Sequence, residues 1–433
     1  MPLRAERTMA HGSSDTIATV TITEVAPGGD GVAHVEHRGE KRAVFVARAA
    51  EGDRLRVRTD FEGRPARGEI VEILEAGPER RTPPCRFAAR CGGCDFMHLS
   101  LPAQAHLHLA HVKRVLPVPF REVPLRYHAA PRAERYRARA RFHVAGSGGR
   151  ARVGFFAPRS RDLVEVDPCL VLDPALDEAR GALGALLSGA AGEGEALVAL
   201  GHARKPVIEL HWSRDLAAAC YARIDAAVTS GAWAGARVFG GAVSRPAVMG
   251  DPTPIIDGPD GAPLRLGLGG FAQAHELLNR ELATCVAALV PEGQRVVELY
   301  AGAGNLTVLL AQKAAQLTAV EDDTGACDAA RENLRARGLR AKVSQADANM
   351  HVIGDAAQAV VLDPPRTGAR AACGAIVKSK ARRVVYVSCD PPTLGRDLEI
   401  LSERFQLVSV DLFEMFPHTS HIEAVALLER RRP

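Results

Sequence analysis

The chain has 433 residues, of which 47% are hydrophobic and 24% are charged, with a formal net charge of +4. This length can bury the cores of two or three domains, and the composition is typical of an ordinary soluble protein. No stretch approaches the roughly 18 apolar residues that cross a membrane, and the N-terminus lacks a secretion signal, which predicts a cytoplasmic protein without a membrane partner.

The first predicted region, residues 14–76, is interpreted as a small β-barrel. Short runs rich in β-branched residues alternate with glycine turns, and five strands fit the stretch from Thr16 to Ala76. Five strands in so short a stretch favour a closed barrel of the oligonucleotide-binding type. Any other small all-β module fits the pattern equally well, so the residues alone leave the type of module open.

A loop after this region carries Cys85, Cys91 and Cys94 in a C-x5-C-x2-C arrangement. Nine cysteines, an odd number in a chain without an export signal, argue against a disulfide framework and favour metal-binding or catalytic thiols. With Cys169 as a fourth ligand, the set suits tetrahedral zinc or an iron–sulfur cluster. The spacing alone does not choose between them, and unligated loop thiols are the remaining alternative.

The central region, residues 77–270, mixes helical and strand-like stretches without a repeat. Its segment AERYRARARFHV alternates strictly, so that Arg135, Arg137, Arg139 and Arg141 share one face of a predicted strand. Such a row would extend about 20 Å and match several phosphates of a nucleic acid. Positive residues also concentrate in this half of the chain, which favours an RNA-binding face. A solvated face paired with acids would explain the same alternation.

From residue 271 to 433 the pattern changes to a regular alternation of strands and helices. Five apolar runs are typical of strands, and stretches rich in alanine, leucine and arginine separate them: RVVEL, LTAVE, AKVSQ, AVVLD and RRVVYVS. This alternation indicates a parallel sheet with helices on both faces. The predicted fold class is therefore α/β, with a C-terminal doubly wound, Rossmann-like domain after the barrel and a mixed central domain.

The first of these strands leads into a glycine-rich turn, ELYAGAGNLT, which suggests a nucleoside site. Gly302 and Gly304 permit a tight turn before a helix predicted to begin near Asn305. Glu321 ends the second strand, where a carboxylate can bind both ribose hydroxyls. The dinucleotide fingerprint is incomplete, because Thr307 stands where a third glycine is required.

Two more acids extend the same edge of the predicted sheet. Asp347 follows the third strand, and Asp363 follows the fourth and begins the segment DPPRTGA. Three acids along one edge favour a nucleoside without a pyrophosphate group, of which S-adenosylmethionine is the obvious case. Pro364 and Pro365 stiffen the loop and hold the Asp363 carboxylate toward the crevice, although a helix cap would also explain this aspartate.

A cysteine ends the fifth strand, where a doubly wound sheet usually binds its ligands. In VYVSCDPPTLGRDL, Cys389 faces the same crevice as Asp363, and a helix predicted from Pro391 would lower the pKa of the thiol through its dipole. A buried packing cysteine is the alternative. Near the C-terminus, FPHTSHIEAVALLER places Glu423 at or near a strand start, where it can pair with the thiol.

Four ordered motifs carry a family resemblance. ELYAGAGNLT, DPPRTGA, VYVSCDPPTLGRDL and FPHTSHIE resemble those of the RNA 5-methyluridine methyltransferases, the uracil-C5 family that acts on ribosomal and transfer RNA. The N-terminal barrel resembles the TRAM domain of the ribosomal-RNA members. Departures from the family pattern are small, since Asp390 replaces an asparagine after the cysteine and Tyr300-Ala301 replaces a Phe-Cys pair.

The resemblance implies a role for each candidate residue. Cys389 would be the nucleophile that adds to C6 of uracil, and Glu423 would be the base that removes the C5 proton. The four cysteines named above would hold a 4Fe–4S cluster. S-adenosylmethionine would contact six residues: Gln273, Tyr300, Asn305, Glu321, Asp347 and Asp363.

The resemblance also implies the substrate, an unpaired or flipped-out uridine. The TRAM-like barrel and the cysteines favour 23S ribosomal RNA over transfer RNA, and a monomer is expected. Two further functions stay open. A methyltransferase for an exocyclic base amine would need no nucleophile, so Cys389 and Glu423 argue against it. A non-catalytic iron–sulfur RNA-binding protein would not need the motifs of the cofactor pocket.

Overall fold

The computed structural model describes residues 16–241 and 245–432 of the chain. By their internal contacts these residues form two compact units. The first contains residues up to 89, together with 94–107 and 418–420, and the second contains the remainder. The predicted start of the barrel at residue 14 lies outside the described residues. Within the described residues, no helix is long and apolar enough to cross a membrane.

The first unit is built on one sheet. Its strands are β1 (Thr16–Thr21), β2 (Glu24–Val25), β3 (Gly31–His37), β4 (Glu40–Val46), β5 (Arg54–Asp60) and β6 (Ala66–Glu75). Their order in the sheet is β1-β5-β6-β4-β3-β2. Side chains of β5 are exposed and buried in strict alternation, because one face of the strand covers the apolar core of this unit.

The first of the five predicted barrel strands is two strands in the structure. β1 pairs with β5 and β2 pairs with β3, so the chain changes partner between them. The Ile22 amide donates a hydrogen bond to the carbonyl of Asp53, whereas the Thr23 amide donates to that of Val32. The two outermost strands of the sheet are therefore neighbours in the chain, which is the strand order of a small closed barrel.

Helix α1 (Leu101–Val115) begins in the first unit and ends in the second. The elements that follow it are β7 (Leu125–His128), β8 (Arg139–Ser147), β9 (Arg152–Phe156), β10 (Leu163–Val164), α2 (Pro174–Leu186), β11 (Ala191–Leu200), β12 (Pro206–Trp212), α3 (Ala218–Thr229), β13 (Gly235–Gly240), β14 (Ala247–Gly250), β15 (Ile255–Asp257) and β16 (Pro263–Arg265), with short 3₁₀ helices at Val118–Phe120 and His202–Arg204. Seven strands form a sheet in the order β10-β9-β8-β11-β12-β13-β14. Its apolar core includes Phe142 and Leu210 of the sheet, Leu183 of α2 and Ile224 of α3.

The C-terminal part of the second unit alternates helices and strands, as predicted. Its elements are α4 (Glu276–Leu289), β17 (Arg295–Leu299), α5 (Thr307–Leu310), β18 (Gln316–Glu321), α6 (Thr324–Ala336), β19 (Lys342–Gln345), β20 (Ala359–Leu362), α7 (Arg370–Lys378), β21 (Arg383–Ser388), α8 (Pro391–Leu401), β22 (Phe405–Phe413) and β23 (Glu423–Arg430). They form a sheet in the order β19-β18-β17-β20-β21-β23-β22-β7, with parallel pairing from β19 to β21. The predicted doubly wound α/β sheet is confirmed.

Both faces of this sheet are covered, which explains why its central strands are almost entirely apolar. In β20, Val360 and Leu362 pack in the same core as α7 and α8, whereas Ala359 and Val361 pack in the same core as α4. β17 lies between β18 and β20, so the strand order reverses at this point. A crevice is expected at the carboxyl ends of the strands where the order reverses.

Strand β7 extends the edge of this sheet, although its sequence lies in the predicted central region. It pairs in parallel with β22. Asp411 of β22 contacts Arg126 and His128 of β7 at 2.8 Å each. β7 has only four residues and lies outside the region of alternating helices and strands, so no pattern in the sequence indicates that it pairs with β22.

Candidate active site

The eight residues predicted to react or to bind the cofactor line one cavity of about 620 Å³. It lies at the carboxyl ends of the strands, where the order reverses. Its size is within the range of small-molecule sites. The eight residues are Gln273, Tyr300, Asn305, Glu321, Asp347, Asp363, Cys389 and Glu423.

Strand pairing places the predicted nucleophile opposite the predicted base. β21 and β23 are antiparallel, and their last pair is Ser388 with Ala424. Cys389 follows Ser388 and Glu423 precedes Ala424, so the same register brings these two residues face to face. Because both line the cavity, the thiol and the carboxyl group can act on one bound ring.

Burial disfavours ionisation of the Cys389 thiol. Desolvation raises the pKa of this thiol to about 12, and the negative charges of Glu423 and Asp363 contribute to the rise. Arg366, which also lines the cavity, acts in the opposite direction. The prediction of a lowered pKa for this thiol is therefore wrong, because desolvation and two nearby carboxyl groups raise it.

The N-terminus of α8 is capped by a side chain other than the thiol. The Asp390 carboxylate accepts a hydrogen bond from the backbone amide of Thr393 at 2.9 Å. Two groups lower the pKa of the Cys389 thiol: the Arg366 cation, which lines the cavity, and the backbone of Cys389 itself.

Glu423 begins β23, as predicted, and is only 2% exposed. Desolvation raises the pKa of its carboxyl group well above the ordinary value, and Asp363 raises it further, while Arg366 lowers it. Among the described residues, Oε2 of Glu423 has no hydrogen-bond partner, so this oxygen is available to a ligand. A carboxylate with a raised pKa accepts a proton more readily than one in water.

The glycine-rich turn holds Glu321 through its backbone. Gly302 and Gly304 have φ values of 54° and 91°, the left-handed conformation that glycine adopts without strain. The Gly302 amide donates to Oε2 of Glu321 at 2.8 Å, and the amides of Asp322 and Asp323 donate to Oε1 at 3.0 Å each. Desolvation nevertheless raises the pKa of Glu321. Three backbone donors therefore orient this carboxylate at the end of β18.

Three other predicted cofactor residues are held by side chains that the sequence did not single out. The amide groups of Asn305 and Asn279 exchange two hydrogen bonds, at 2.8 and 2.9 Å. The Tyr300 hydroxyl donates to Oδ1 of Asn349 at 2.9 Å. Oδ1 of Asp347 accepts from the backbone amide of Asn349 at 2.8 Å and from its side-chain amide at 3.2 Å. The helix predicted from near Asn305 begins slightly later, with α5.

Gln273 and Asp363 present polar atoms to the cavity. Gln273 is 5% exposed, and its Oε1 has no hydrogen-bond partner in the described part of the chain. Desolvation raises the pKa of Asp363 to about 7. Asp363 does not cap a helix, since α7 begins several residues later with Ala369 as its cap. A buried acceptor without a partner, such as Oε1 of Gln273, fits a ligand rich in hydrogen-bond donors, such as the ammonium and hydroxyl groups of S-adenosylmethionine.

Two charged residues that line the cavity, Glu298 and Arg366, were not among the site residues predicted from the sequence. Glu298 lies within β17 and is 1% exposed, and burial raises its pKa to about 8. The Thr307 hydroxyl lies close enough to lower this pKa, although neither carboxyl oxygen has a partner with full hydrogen-bond geometry among the residues that the structure describes. Arg366 is the cation that acts on both Cys389 and Glu423. A lone acid inside an apolar strand and an arginine after two prolines are the signals that could have revealed them.

The predicted metal ligands Cys85, Cys91, Cys94 and Cys169 are all partly exposed. No disulfide joins any of the nine cysteines, all of which lie in the described segments. Burial raises the pKa of the Cys169 thiol to about 11, with a contribution from Cys91, so these two are close enough to interact. Across residues 16–241 and 245–432, no group of three or more His, Cys, Asp or Glu side chains is arranged to hold a metal ion.

The predicted arginine row is interrupted. β8 begins at Arg139, and Arg135 has a φ of 53°, so the four arginines do not share one continuous strand as predicted. Arg141 forms an ion pair with Glu195 at 3.0 Å, and Arg139 donates to the Gly269 carbonyl at 3.0 Å. Arg137 donates to the Arg139 carbonyl at 3.1 Å, so three members of the row have partners within the protein. Of these three, Arg141 alone is paired with an acid among the described residues, as the alternative of a face paired with acids predicts.

Comparison with known proteins finds similarity along nearly the whole chain. Two family models match parts of it: "tRNA (Uracil-5-)-methyltransferase" at residues 347–431 and "Methyltransferase small domain" at residues 272–385. A curated relative from Chromohalobacter salexigens, named 23S rRNA (uracil(1939)-C(5))-methyltransferase RlmD, is 34% identical, with 100% of this chain and 93% of the relative covered. A relative of the same name from Alkalilimnicola ehrlichii is 32% identical, with coverage of 95% and 96%.

A solved structure shares the fold. The Pyrococcus abyssi tRNA (uracil-54, C5)-methyltransferase, in complex with S-adenosyl-L-homocysteine, is similar to this chain with a TM-score of 0.74. The two are 20% identical, and the similarity covers 95% of this chain and 99% of that one. The architecture described above, with three sheets in the second unit (β15 and β16 form the smallest), is therefore one that a known protein also adopts over almost its entire length.

Proposed function

The chain belongs to the RNA uracil-C5 methyltransferases, and we propose that it transfers a methyl group from S-adenosylmethionine to C5 of a uridine in 23S ribosomal RNA. The observation that carries this proposal is the pairing of Cys389 with Glu423 in the cavity that holds the six candidate cofactor residues. The names of the Chromohalobacter and Alkalilimnicola relatives support 23S ribosomal RNA over transfer RNA, and C5 over an exocyclic amine.

The first step makes C5 of uracil nucleophilic. C5 is a poor nucleophile until a thiolate adds to C6. The Cys389 sulfur forms a bond to C6, and the electrons of the C5–C6 double bond move toward O4 to give an enolate. Arg366 favours the anionic sulfur that begins this step. C5 then attacks the methyl carbon of S-adenosylmethionine, whose sulfur leaves with the bonding pair as neutral S-adenosylhomocysteine.

Glu423 completes the reaction by removing a proton. After methyl transfer, C5 carries both a hydrogen and the new methyl group, and Cys389 is still bonded to C6. The Glu423 carboxylate takes the C5 proton, the electrons restore the C5–C6 double bond, and the sulfur leaves as a thiolate. The burial of Glu423 supports this role, because its raised pKa makes the carboxylate a stronger base.

Six side chains are proposed to hold S-adenosylmethionine. Glu321 suits the ribose hydroxyls, because three backbone amides orient its carboxylate at the end of β18. Gln273 offers a buried acceptor without a partner in the described segments, which suits a donor group of the ligand. The remaining four line the same cavity: Tyr300, Asn305, Asp347 and Asp363.

The target uridine must leave its stack to react. The thiol and the carboxyl group lie within a cavity, which a base inside a duplex cannot enter, so we propose an unpaired or flipped-out uridine. All eight candidate residues come from the second unit of one chain, which supports a monomeric enzyme. Because ribosomal RNA is the proposed substrate, the proposed location is the cytoplasm.

The three predicted regions are proposed as functional domains. Residues 14–76 would form a TRAM domain, which the closed strand order of the barrel supports. Residues 77–270 would form the central domain, and residues 271–433 the methyltransferase domain. Strand β7 belongs to the central region in sequence but pairs with the methyltransferase sheet, so the boundary in space does not follow the boundary in sequence.

We further propose that Cys85, Cys91, Cys94 and Cys169 hold a 4Fe–4S cluster. Four thiols outside disulfides are the donor set that such a cluster requires, and the interaction of Cys91 with Cys169 supports their shared role. The described side chains do not form a group of metal ligands by themselves, so the fit rests on donor chemistry and spacing. No step of the methyl transfer depends on this cluster.

Protein purified without oxygen is expected to be brown and to contain about four iron and four sulfide ions per chain. Replacing Cys91 with serine should release the iron and reduce folding yield or RNA binding, while S-adenosylmethionine binding by the folded fraction persists, since the cofactor cavity does not include this residue. Cys285→Ser, on α4, is the matched control and should keep the iron. One zinc ion per chain without sulfide would reject the cluster.

Deleting the gene is expected to remove one 5-methyluridine from 23S ribosomal RNA. Mass-spectrometric mapping of RNA from the deletion strain tests this directly, and the wild-type gene should restore the modification. Loss of 5-methyluridine from transfer RNA alone would favour the transfer-RNA alternative. Loss of a base methylated on an exocyclic amine would contradict the proposed chemistry, and an unchanged set of modifications would support a non-catalytic protein.

A further inference from the structure

The end of the TLGRDL stretch has no part in the chemistry described so far, yet it includes a fully buried acid. Asp397 lies on α8 and is 0% exposed. Its Oδ2 accepts hydrogen bonds from the Ala369 amide at 2.6 Å and from the Tyr386 hydroxyl at 2.7 Å. Its Oδ1 accepts one from Nε of Arg396 at 2.9 Å. These three hydrogen bonds fix the Asp397 carboxylate in place, because loss of any one of them would leave a buried polar group without a partner.

The neighbouring Arg396 contacts the same loop. Its Nη2 donates to the Thr367 carbonyl at 2.9 Å. Between the two bonded positions lies Gly368, with a φ of 74°. A Cβ at Gly368 would lie 2.6 Å from Oδ2 of Asp397 and would also collide with Nη2 of Arg396. The backbone of this loop therefore lies directly against two adjacent side chains of α8.

These bonds join the loop that carries Arg366 to the segment that carries the reacting thiol. The loop 363–369 carries Arg366, which lines the cavity. Tyr386 is on β21, the strand that leads to Cys389, and α8 begins two residues after Cys389. A single helix thus holds both the loop with the guanidinium and the segment with the thiol.

We propose that Arg396 and Asp397 are positioning residues that lock the loop 363–369 to α8 and so keep Arg366 beside the Cys389 sulfur. The inference rests on the proposed function, in which Cys389 reacts as a thiolate. The charged groups that act on this thiol are Glu423, Asp363 and Arg366, and only the last of these three favours the anion. The contacts from α8 hold the 367–369 end of the loop, next to Arg366, whereas Asp363 directly follows β20 and its amide bonds to the Leu299 carbonyl at 3.4 Å. Loosening that end would therefore move Arg366 away while both carboxyl groups stay near the thiol.

Arg396 is the residue to vary, because removing the Asp397 carboxylate would strand a buried hydroxyl and an amide and could unfold the protein. The Arg396 side chain is 38% exposed, so Arg396→Ala should fold. It should lower kcat by about 10- to 100-fold through misplacement of Arg366, with KM for S-adenosylmethionine changed less than about threefold. Arg396→Lys, which keeps one donor, should recover part of kcat. Arg370→Ala removes an exposed arginine at the start of α7 and should behave as wild type.

The decisive measurement is the pH profile of covalent complex formation with a 23S ribosomal RNA transcript that contains 5-fluorouridine. Fluorine at C5 cannot be removed as a proton, so the complex accumulates and reports thiolate attack. Arg396→Ala should need a higher pH than wild type to reach the same rate, because the thiol pKa rises without the cation. A purely structural role would lower the melting temperature and leave the profile in place.

Two results would overturn the inference. An Arg396→Ala enzyme with wild-type kcat and pH profile would show that the loop keeps its place without this contact. A fall in kcat without any shift in the profile would assign Arg396 a role in stability alone. Failure of the proposed function would look different, because the wild-type enzyme itself would then form no complex with the RNA, and that result would remove both proposals.

Discussion

Replacing Cys389 with alanine is expected to abolish both 5-methyluridine formation and the covalent complex with RNA. The sulfur makes the bond to C6 that activates C5, and no other cysteine lines the cavity formed by the described residues. Loss of a nucleophile of this kind lowers kcat by on the order of 10⁴-fold or more. The measurement is methyl incorporation into a 23S ribosomal RNA transcript, together with a denaturing gel that detects RNA bound to protein.

Cofactor binding should survive this change. The thiol is small, and the candidate ligands of S-adenosylmethionine lie on other loops, so the affinity of Cys389→Ala for the cofactor should stay near that of wild type. Cys285→Ala, on α4 and outside the cavity, is the matched control and should keep full activity. Methylation by Cys389→Ala at a rate near wild type would disprove the assignment of the nucleophile and favour an exocyclic-amine target.

Replacing Glu423 with glutamine is expected to trap the enzyme on its RNA. Glutamine keeps the shape of the side chain but cannot accept the C5 proton, so the methylated adduct forms and then resolves slowly. General base catalysis by a positioned side chain contributes about 10²- to 10⁴-fold, and turnover should fall by a factor in this range. On a denaturing gel with labelled RNA and S-adenosylmethionine, the band of protein joined to RNA should accumulate with time.

Two comparisons make the Glu423 result specific. Glu429→Gln alters another glutamate of β23, which pairs with Arg383 outside the cavity, and should leave turnover unchanged. The double variant Cys389→Ala with Glu423→Gln should form no adduct, because the adduct requires the sulfur. If Glu423→Gln turns over RNA normally and no adduct accumulates, another group removes the proton and Glu423 has a different role.

Much of the C-terminal fold and the positions of its candidate residues could be predicted from the sequence, because the signals are local. Strand and helix alternation follows from side-chain periodicity within a few residues, and the carboxyl ends of parallel strands must meet at one edge of the sheet. Glu321, Asp347, Asp363 and Cys389 each end or follow a strand predicted from the sequence, so their gathering in one cavity needed no knowledge of distant contacts. The turn at Gly302 was likewise visible in the local sequence.

The tertiary structure decided what depends on partners far apart in the chain. The meeting of Cys389 with Glu423 comes from the antiparallel register of β21 and β23, and the pairing of β7 with β22 joins segments almost 300 residues apart. The pKa of Cys389 also depends on distant residues. The local sequence, with a helix starting after the cysteine, predicts a pKa below the ordinary value, whereas burial of the thiol in the folded protein raises the pKa above it. Desolvation and strand pairing both depend on residues from many parts of the chain, so a pattern within a few residues of the sequence cannot predict them.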